Sequence, residues 1–333
     1  MQKRTAVLLF SFIFFIFYKI FNVFCKKTSK KVFSRVLCYA YPTNYGKYMQ
    51  LLIDKELKSS DKIFKPDFNS KSGRELLAFY LQTKFRQIFI YDKKQEVPII
   101  NSVNPDFVNR FSRRLINKPT KRLLIGVTGE SASGKSTICH EIKNVIEQLS
   151  MPVTVLSTDN YFNDISTLIN KYGTFDNLRD NGYDVDAPSS FQLDILRSDL
   201  EDLSDGLDIK APMYLPNGTG VSMPKALDVH SQKIIVVEGI ATMYQDVKDI
   251  FDIKIYVETE NELRKSRFMS RAIEERNQSE ENALKHWHYI AEAGEKYVKP
   301  FRKEADLVLN GNSDLKYFAQ ILEYIYTITN NFQ

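Results

Sequence analysis

Gly129-Glu130-Ser131-Ala132-Ser133-Gly134-Lys135-Ser136 is a full G-x-x-x-x-G-K-S run. The apolar Leu123-Leu124-Ile125-Gly126-Val127 precedes it, and Thr137 and a helix-forming stretch follow. Glycines at both ends let the backbone curl until its amides converge on phosphate oxygens. The lysine then reaches the β and γ phosphates, the serine hydroxyl suits Mg²⁺, and the positive end of the following helix adds to the field. Residues 129–137 are therefore expected to bind a nucleotide. No Asn-Lys-x-Asp guanine-reading run follows, which points to ATP rather than GTP.

Two acids stand at the tips of apolar runs further along. Ser157-Thr158-Asp159-Asn160-Tyr161-Phe162 closes one run, and Glu238-Gly239-Ile240 closes Ile234-Ile235-Val236-Val237. A carboxylate beside a phosphate loop accepts the proton of an attacking hydroxyl or orders Mg²⁺, which makes Asp159 a candidate base and Glu238 a candidate metal ligand. The alternative for either is a helix-capping contact. Thr259-Glu260-Asn261-Glu262 reads as a capping box, and the helix it opens carries Arg264, Arg267 and Arg271 on one face, with Arg276 beyond. Such arginines suit a lid that neutralises transferring phosphates; without the acids and the loop they would read as a solvated face.

These groups need a scaffold that brings them together. From Lys121 the pattern alternates: strands at 123–127, 153–157, 233–237, 253–257 and 307–309, with helices at 136–149 and 314–327 among those between and after them. That alternation predicts an α/β fold with a parallel sheet covered by helices on both faces, ligands sitting at the carboxyl ends of the strands.

Length and charge divide the chain. Residues 1–118 carry 23 Lys and Arg against 8 Asp and Glu, and residues 119–333 carry 23 against 33. The run Ala6–Cys25 is 20 residues long with Lys19 as its one charge, and Lys26, Lys27, Lys30, Lys31 and Arg35 follow. This reads as a membrane anchor with the rest of the chain in the cytoplasm; a buried or interfacial helix and a cytoplasmic protein are the alternative. Three segments result: an anchor over 1–35, a mostly helical region of unassigned role over 36–118, and a nucleotide-binding domain over 119–333. In the second segment Tyr45–Leu57 and Gly73–Phe89 look helical, 88–91 and 97–100 strand-like, and Asn104-Pro105 opens a helix toward Leu115. Cys25, Cys38 and Cys139 show no pairing or zinc spacing, and no nucleic-acid partner is expected.

The loop and four further segments together resemble the uridine kinase and phosphoribulokinase family of P-loop small-molecule kinases, over roughly residues 121–310. Asp159-Asn160-Tyr161-Phe162 is similar to the family's Asp-x-Phe-Tyr, and Asp186-Ala187-Pro188-Ser189-Ser190-Phe191 to its Asp-His-Pro-Asp-Ala-Phe. Glu238-Gly239-Ile240 matches Glu-Gly-Ile, and Arg267–Arg276 with Tyr297–Pro300 and Ala305–Val308 resembles the lid and closing strand. The resemblance implies a P-loop NTPase-type fold, ATP and Mg²⁺ as cofactors, and transfer of the γ-phosphate to a hydroxyl of a small-molecule acceptor. Uridine or cytidine leads, with pantothenate, glycerate or ribulose 5-phosphate as alternatives. It implies Asp159 as catalytic base, and Asp186, Tyr161, Tyr214 and Arg276 as acceptor-binding. Ser136, Glu238 and Asp159 are implied for metal, Lys135, Arg267 and Arg271 for the phosphates. Two departures stand out: 215–223 lacks the family's His and Arg, and Glu275-Arg276-Asn277-Gln278 lacks a Gly and an Arg. A homo-oligomer is compatible with this reading, and so is a non-catalytic, membrane-tethered nucleotide-binding module.

Overall fold

The computed structural model describes residues 100–312, short stretches at 105, 108–109, 112–113, 115–120, 149–151 and 216 excepted. The expected anchor at Ala6–Cys25, the helices and strands placed between Tyr45 and residue 99, and the closing helix at 314–327 lie outside the described residues. Among the described residues no helix is long and apolar enough to cross a membrane.

Six strands form one sheet: β1 Ile100–Val103, β2 Leu123–Thr128, β3 Val153–Ser157, β6 Ile234–Glu238, β7 Ile253–Glu258 and β8 Leu307–Asn310. Their order is β1-β8-β7-β2-β6-β3. Every pairing is parallel except β1 with β8, so the sheet is mixed rather than wholly parallel. The central strand β2 is buried along its whole length, as a strand covered on both faces must be, and this explains its unbroken apolar run. Gly126 is required there: a Cβ would lie 2.8 Å from the Phe251 ring, which packs flat against the strand.

Helices α1 Lys135–Gln148, α2 Ser166–Tyr172, α3 Phe175–Asp180, α4 Leu193–Asp205, α5 Asn261–Ser270 and α6 Glu280–Ala293 flank this sheet or stand at its carboxyl end. A separate antiparallel hairpin, β4 Ile209–Tyr214 with β5 Ser222–Val229, was not foreseen as strands. Leu196, Leu200 and Leu203 of α4 recur at helical spacing and join Leu124, Leu156, Ile235 and Val237 of the sheet in the main core.

The register of the parallel strands fixes the site. Val127 of β2 and Ser157 of β3 both pair with Glu238 of β6, so three strands end at one level. The phosphate loop leaves β2 there, and a 3₁₀ turn, Thr158–Tyr161, leaves β3.

The described residues between 100 and 114 are tied to the rest of the sheet. Of the strand expected over 97–100 only Ile100 lies within the described residues, and it opens β1, Ile100–Val103, the edge strand against β8. Residues 107, 110, 111 and 114 are helical, with Phe107 and Phe111 fully buried. Arg114 Nε meets Asp252 Oδ1 at 2.6 Å, while Asp252 Oδ2 accepts the Leu124 amide at the start of β2 at 2.9 Å. Arg114 also donates to the carbonyls of Lys121 and Arg122. With side chains only 9% and 13% exposed, removing one partner strands a charge. Arg114→Ala is therefore expected to lower stability by about 3–5 kcal/mol in urea unfolding. A loss below about 1 kcal/mol would class the pair with solvent-screened surface contacts.

Candidate active site

The phosphate loop has a backbone that its sequence anticipates. Gly129 and Gly134 have φ of +152° and +98°, and at Gly129 a Cβ would sit 2.5 Å from the Val257 carbonyl oxygen. Ala132 also takes a positive φ, +60°, at a steric cost only glycine avoids. The loop's last turn runs into α1, whose Ile138 amide bonds the Gly134 carbonyl at 3.0 Å.

Lys135 Nζ donates to the carbonyls of Gly129 at 2.8 Å and Glu130 at 3.1 Å. Burial holds its ammonium below the usual lysine range, and the Glu238 and Asp159 carboxylates act against that shift. Ser136 Oγ donates to Glu238 Oε2 at 3.2 Å, joining a hydroxyl at the head of α1 to the acid at the tip of β6. Asp159 is reached by water, yet protein surrounds its carboxyl closely. Desolvation there raises its carboxyl, Glu238 adds to the rise and Lys135 opposes it.

Asp186 follows α3 and faces the same group. Its carboxyl is pushed up to about 6, first by burial; Arg179 pulls it down, and Asp184 and Asp159 push it further up. It borders a cavity of about 230 Å³ with Arg179, Tyr183, Asp184, Tyr289 and Lys296. Of these only Asp186 was found from the sequence. The others come from α3, the loop after it, α6 and the turn beyond. The contacts that join them are Tyr289 Oη to Asp180 at 2.7 Å, Lys285 to Asp180 at 3.2 Å and Arg179 to His286 at 3.2 Å. All three span more than 100 residues, so no local spacing announces them.

The structure corrects several expectations. Tyr161 has no exposed surface: its ring sits in the main core and its hydroxyl donates to Asp199 at 2.8 Å, because the 3₁₀ turn directs it inward. It cannot touch an acceptor. The side chain left partly open is Phe162, which packs against Tyr214 at 5.3 Å and Phe191 at 4.2 Å. Tyr214, on the hairpin, has its hydroxyl pushed up to about 12 by burial and by nearby Tyr183 and Asp164. Glu130 belongs to the loop through its backbone only; its side chain turns away to Arg264. Thr259 caps no helix. The N-cap of α5 is Glu260, without a side-chain hydrogen bond, and the Thr259 hydroxyl donates to the Ser133 carbonyl at 2.8 Å.

The arginines separate by depth. Arg264 is buried, Arg267 is half-buried, and Arg271 and Arg276 are exposed. Arg267 donates to Asn312 Oδ1 at 2.6 Å, and its guanidinium stands 3.7 Å from where a Gly134 Cβ would be, beside the loop. Arg271 opens a π-helical turn, Arg271–Glu275, that continues α5.

The residues fit a nucleotide with Mg²⁺. The buried hydroxyls of Thr128 at the end of β2, Ser133 in the loop and Thr158 at the start of the Asp159 turn have no hydrogen-bond partner, and a serine hydroxyl beside a carboxylate is an all-oxygen donor pair. Among the described residues no group of three His, Cys, Asp or Glu side chains forms a metal cage. Two protein ligands suit Mg²⁺, which keeps several waters and shares substrate phosphates.

A mostly parallel sheet ending in a phosphate loop, with acids level beside it and an arginine helix against the loop, is the arrangement of a P-loop kinase of the small-molecule class, transferring a phosphoryl group to a hydroxyl. The model of the phosphoribulokinase / uridine kinase family matches residues 124–316, and the chain belongs to that family. Uridine-cytidine kinase B of Dictyostelium discoideum is 31% identical over 193 residues, covering 57% of this chain and 75% of that protein. Uridine kinase of Staphylococcus aureus strain JH9 is 31% identical over 188 residues, 56% of this chain and 86% of that protein. The solved phosphoribulokinase from Rhodobacter spheroides aligns with 57% of this chain and 70% of its own, at a TM-score of 0.43 and 14% identity.

The raised carboxyl of Asp186 makes a prediction about stability. Its folded value of about 6 lies above the ordinary value, so folding favours the protonated form. The penalty is absent at pH below about 4 and grows as pH rises through about 6. Asp186→Asn should therefore be more stable than the parent at pH 8, by about 3 kcal/mol in urea unfolding, with the gain vanishing toward pH 4. A variant less stable at pH 8 would show that the charged carboxylate is compensated by its neighbours.

Proposed function

We propose that the chain transfers the γ-phosphate of ATP to a hydroxyl of a nucleoside, uridine or cytidine. The loop amides and Lys135 bind the β and γ phosphates. Asp186 accepts hydrogen bonds from sugar hydroxyls, and Phe162 with Tyr214 forms an apolar wall beside them. Asp159 takes the proton of the attacking hydroxyl as its oxygen bonds to the γ-phosphorus and the bond to the β-phosphate bridging oxygen breaks, releasing ADP. Arg267 stands beside the phosphates, with Arg271 and Arg276 on the turn that closes toward them. Ser136 and Glu238 would hold Mg²⁺, which when bound neutralises charge on the β and γ oxygens.

The observation that carries this reading is the pair Asp159 and Asp186, two desolvated carboxylates acting on the same Lys135 at the mouth of the phosphate loop. A carboxylate whose proton affinity burial has raised is better suited to proton abstraction than a solvated one, and a second carboxylate gives the acceptor hydroxyls a partner. The names borne by the Dictyostelium and Staphylococcus relatives support a pyrimidine nucleoside as acceptor. Every residue given a role lies at or after Gly129, so the chemistry makes no call on Ala6–Cys25.

Asp159→Asn keeps the shape but cannot take the proton, so turnover should fall roughly 10²–10⁴-fold while ATP affinity stays near that of the parent. A parallel fall in ATP affinity would make Asp159 a binding residue instead. For the acceptor, steady-state assays over uridine, cytidine, their 2′-deoxy analogues, pantothenate, glycerate and ribulose 5-phosphate decide. Ribonucleosides should be preferred over deoxy analogues by about a hundredfold or more, because losing a hydroxyl leaves Asp186 without its partner. Turnover confined to a non-nucleoside, or none at all, would overturn the assignment.

A further inference from the structure

Arg264 is 3% exposed and lies at the junction of the phosphate loop with the arginine helix. Its Nη1 meets Glu130 Oε1 at 2.7 Å and Asn261 Oδ1 at 3.3 Å, and its Nε donates to the Ser131 carbonyl at 3.0 Å. The guanidinium lies over the Trp287 ring of α6, 5.4 Å from its centroid, and Nη2 faces no acceptor. Glu130 Oε2 accepts from Tyr256 Oη of β7 at 3.4 Å, and a Cβ at Gly294 would come within 3.1 Å of Glu130 Oε1. Loop, central sheet, α5, α6 and the turn after α6 thus meet at one buried ion pair.

We infer that Glu130 and Arg264 are a positioning pair that sets the nucleotide-binding conformation of the loop from the arginine helix. The physical reason is the planar peptide. A trans peptide points its carbonyl and the next amide in opposite directions, so holding the Ser131 carbonyl against Arg264 turns the Ala132 amide to the other side. Ala132 needs holding: at φ +60° it bears a strain of about 1–2 kcal/mol that the loop by itself would relieve. The Glu130 carbonyl is fixed in the same way by Lys135 and by the Ser133 amide. Arg264 and Glu130 act through the loop and touch no reacting atom. Because Arg264 and Arg267 share α5, the pair also sets where the phosphate-facing arginine stands.

The inference rests on the nucleotide-binding reading, so its test reads ATP binding directly rather than turnover. Dissociation constants for Mg-ATP by calorimetry, with thermal midpoints, are compared for the parent, Arg264→Lys and the double variant Glu130→Leu/Arg264→Met. Lysine keeps a charge for Glu130 but lacks the fork that also reaches Ser131. The apolar double variant strands no charge, only the Tyr256 hydroxyl and the Ser131 carbonyl, so it should fold and unfold within a few degrees of the parent. Both should bind ATP about ten- to a hundredfold more weakly, as expected for losing a hydrogen bond from a charged group. A pair that serves stability alone predicts parental affinity in the folded double variant, and that result would overturn the inference. Failure of both variants to fold would assign the pair to the core and overturn it too. If the parent itself does not bind ATP, the nucleotide-binding reading falls instead.

Discussion

Parallel strands paired in fixed register end side by side, and the candidate site depends on that alignment. β2, β3 and β6 hydrogen-bond so that Val127, Ser157 and Glu238 stand at one level. What each strand leads into is then adjacent by construction: the phosphate loop, the turn bearing Asp159, and Glu238 itself. A slip of one residue in β6 would turn Glu238 to the other face of the sheet, away from Ser136. The buried apolar residues of β2 and β6 prevent that slip, because both faces of these strands are covered and every side chain has one place to pack.

Alignment concentrates charge, and the concentration is costly. Asp159 and Asp186 have raised carboxyls and Lys135 a lowered ammonium, and in each case burial is the first cause. The attraction of Lys135 for the two carboxylates offsets only part of that. The remainder is carried by a core in which Leu123, Leu124, Ile125, Val127 and Ile235 are completely removed from water. The site is strained at one further point, Ala132, where a side chain occupies a backbone region suited to glycine.

Two buried ion pairs hold opposite ends of the sheet. Arg114 with Asp252 secures the amino end of β2, and Arg264 with Glu130 secures the loop beyond its carboxyl end. Each joins segments more than 130 residues apart in the chain. Buried pairs of this kind add little net stability compared with apolar packing, but they tolerate only one geometry, which is what a loop presenting amides to phosphate requires.

Much of this was legible along the chain. The phosphate loop, the strand before it and the helix after it are contiguous, and their glycines answer local backbone demands, so the sequence alone specified them. The five parallel strands were legible because strands buried on both faces are continuous apolar runs, and Asp159 and Glu238 because each closes such a run. What only the tertiary structure decided was direction and partnership. Tyr161 and Phe162 are neighbours of similar type, and the 3₁₀ turn alone sends one into the core and leaves the other partly open. Thr259 has the spacing of a helix cap, but its hydroxyl donates to the Ser133 carbonyl, 126 residues away in the chain, and Glu260 takes the cap position. Arg264, Arg267 and Arg271 look equivalent at helical spacing, and the packing of Trp287 and Glu130 makes the first a buried anchor. The cavity beside Asp186 has walls from α3 and α6, joined by contacts between residues more than 100 positions apart. Local propensity carries no information about pairings at that range; only the packing of the whole sheet and its helices brings them together.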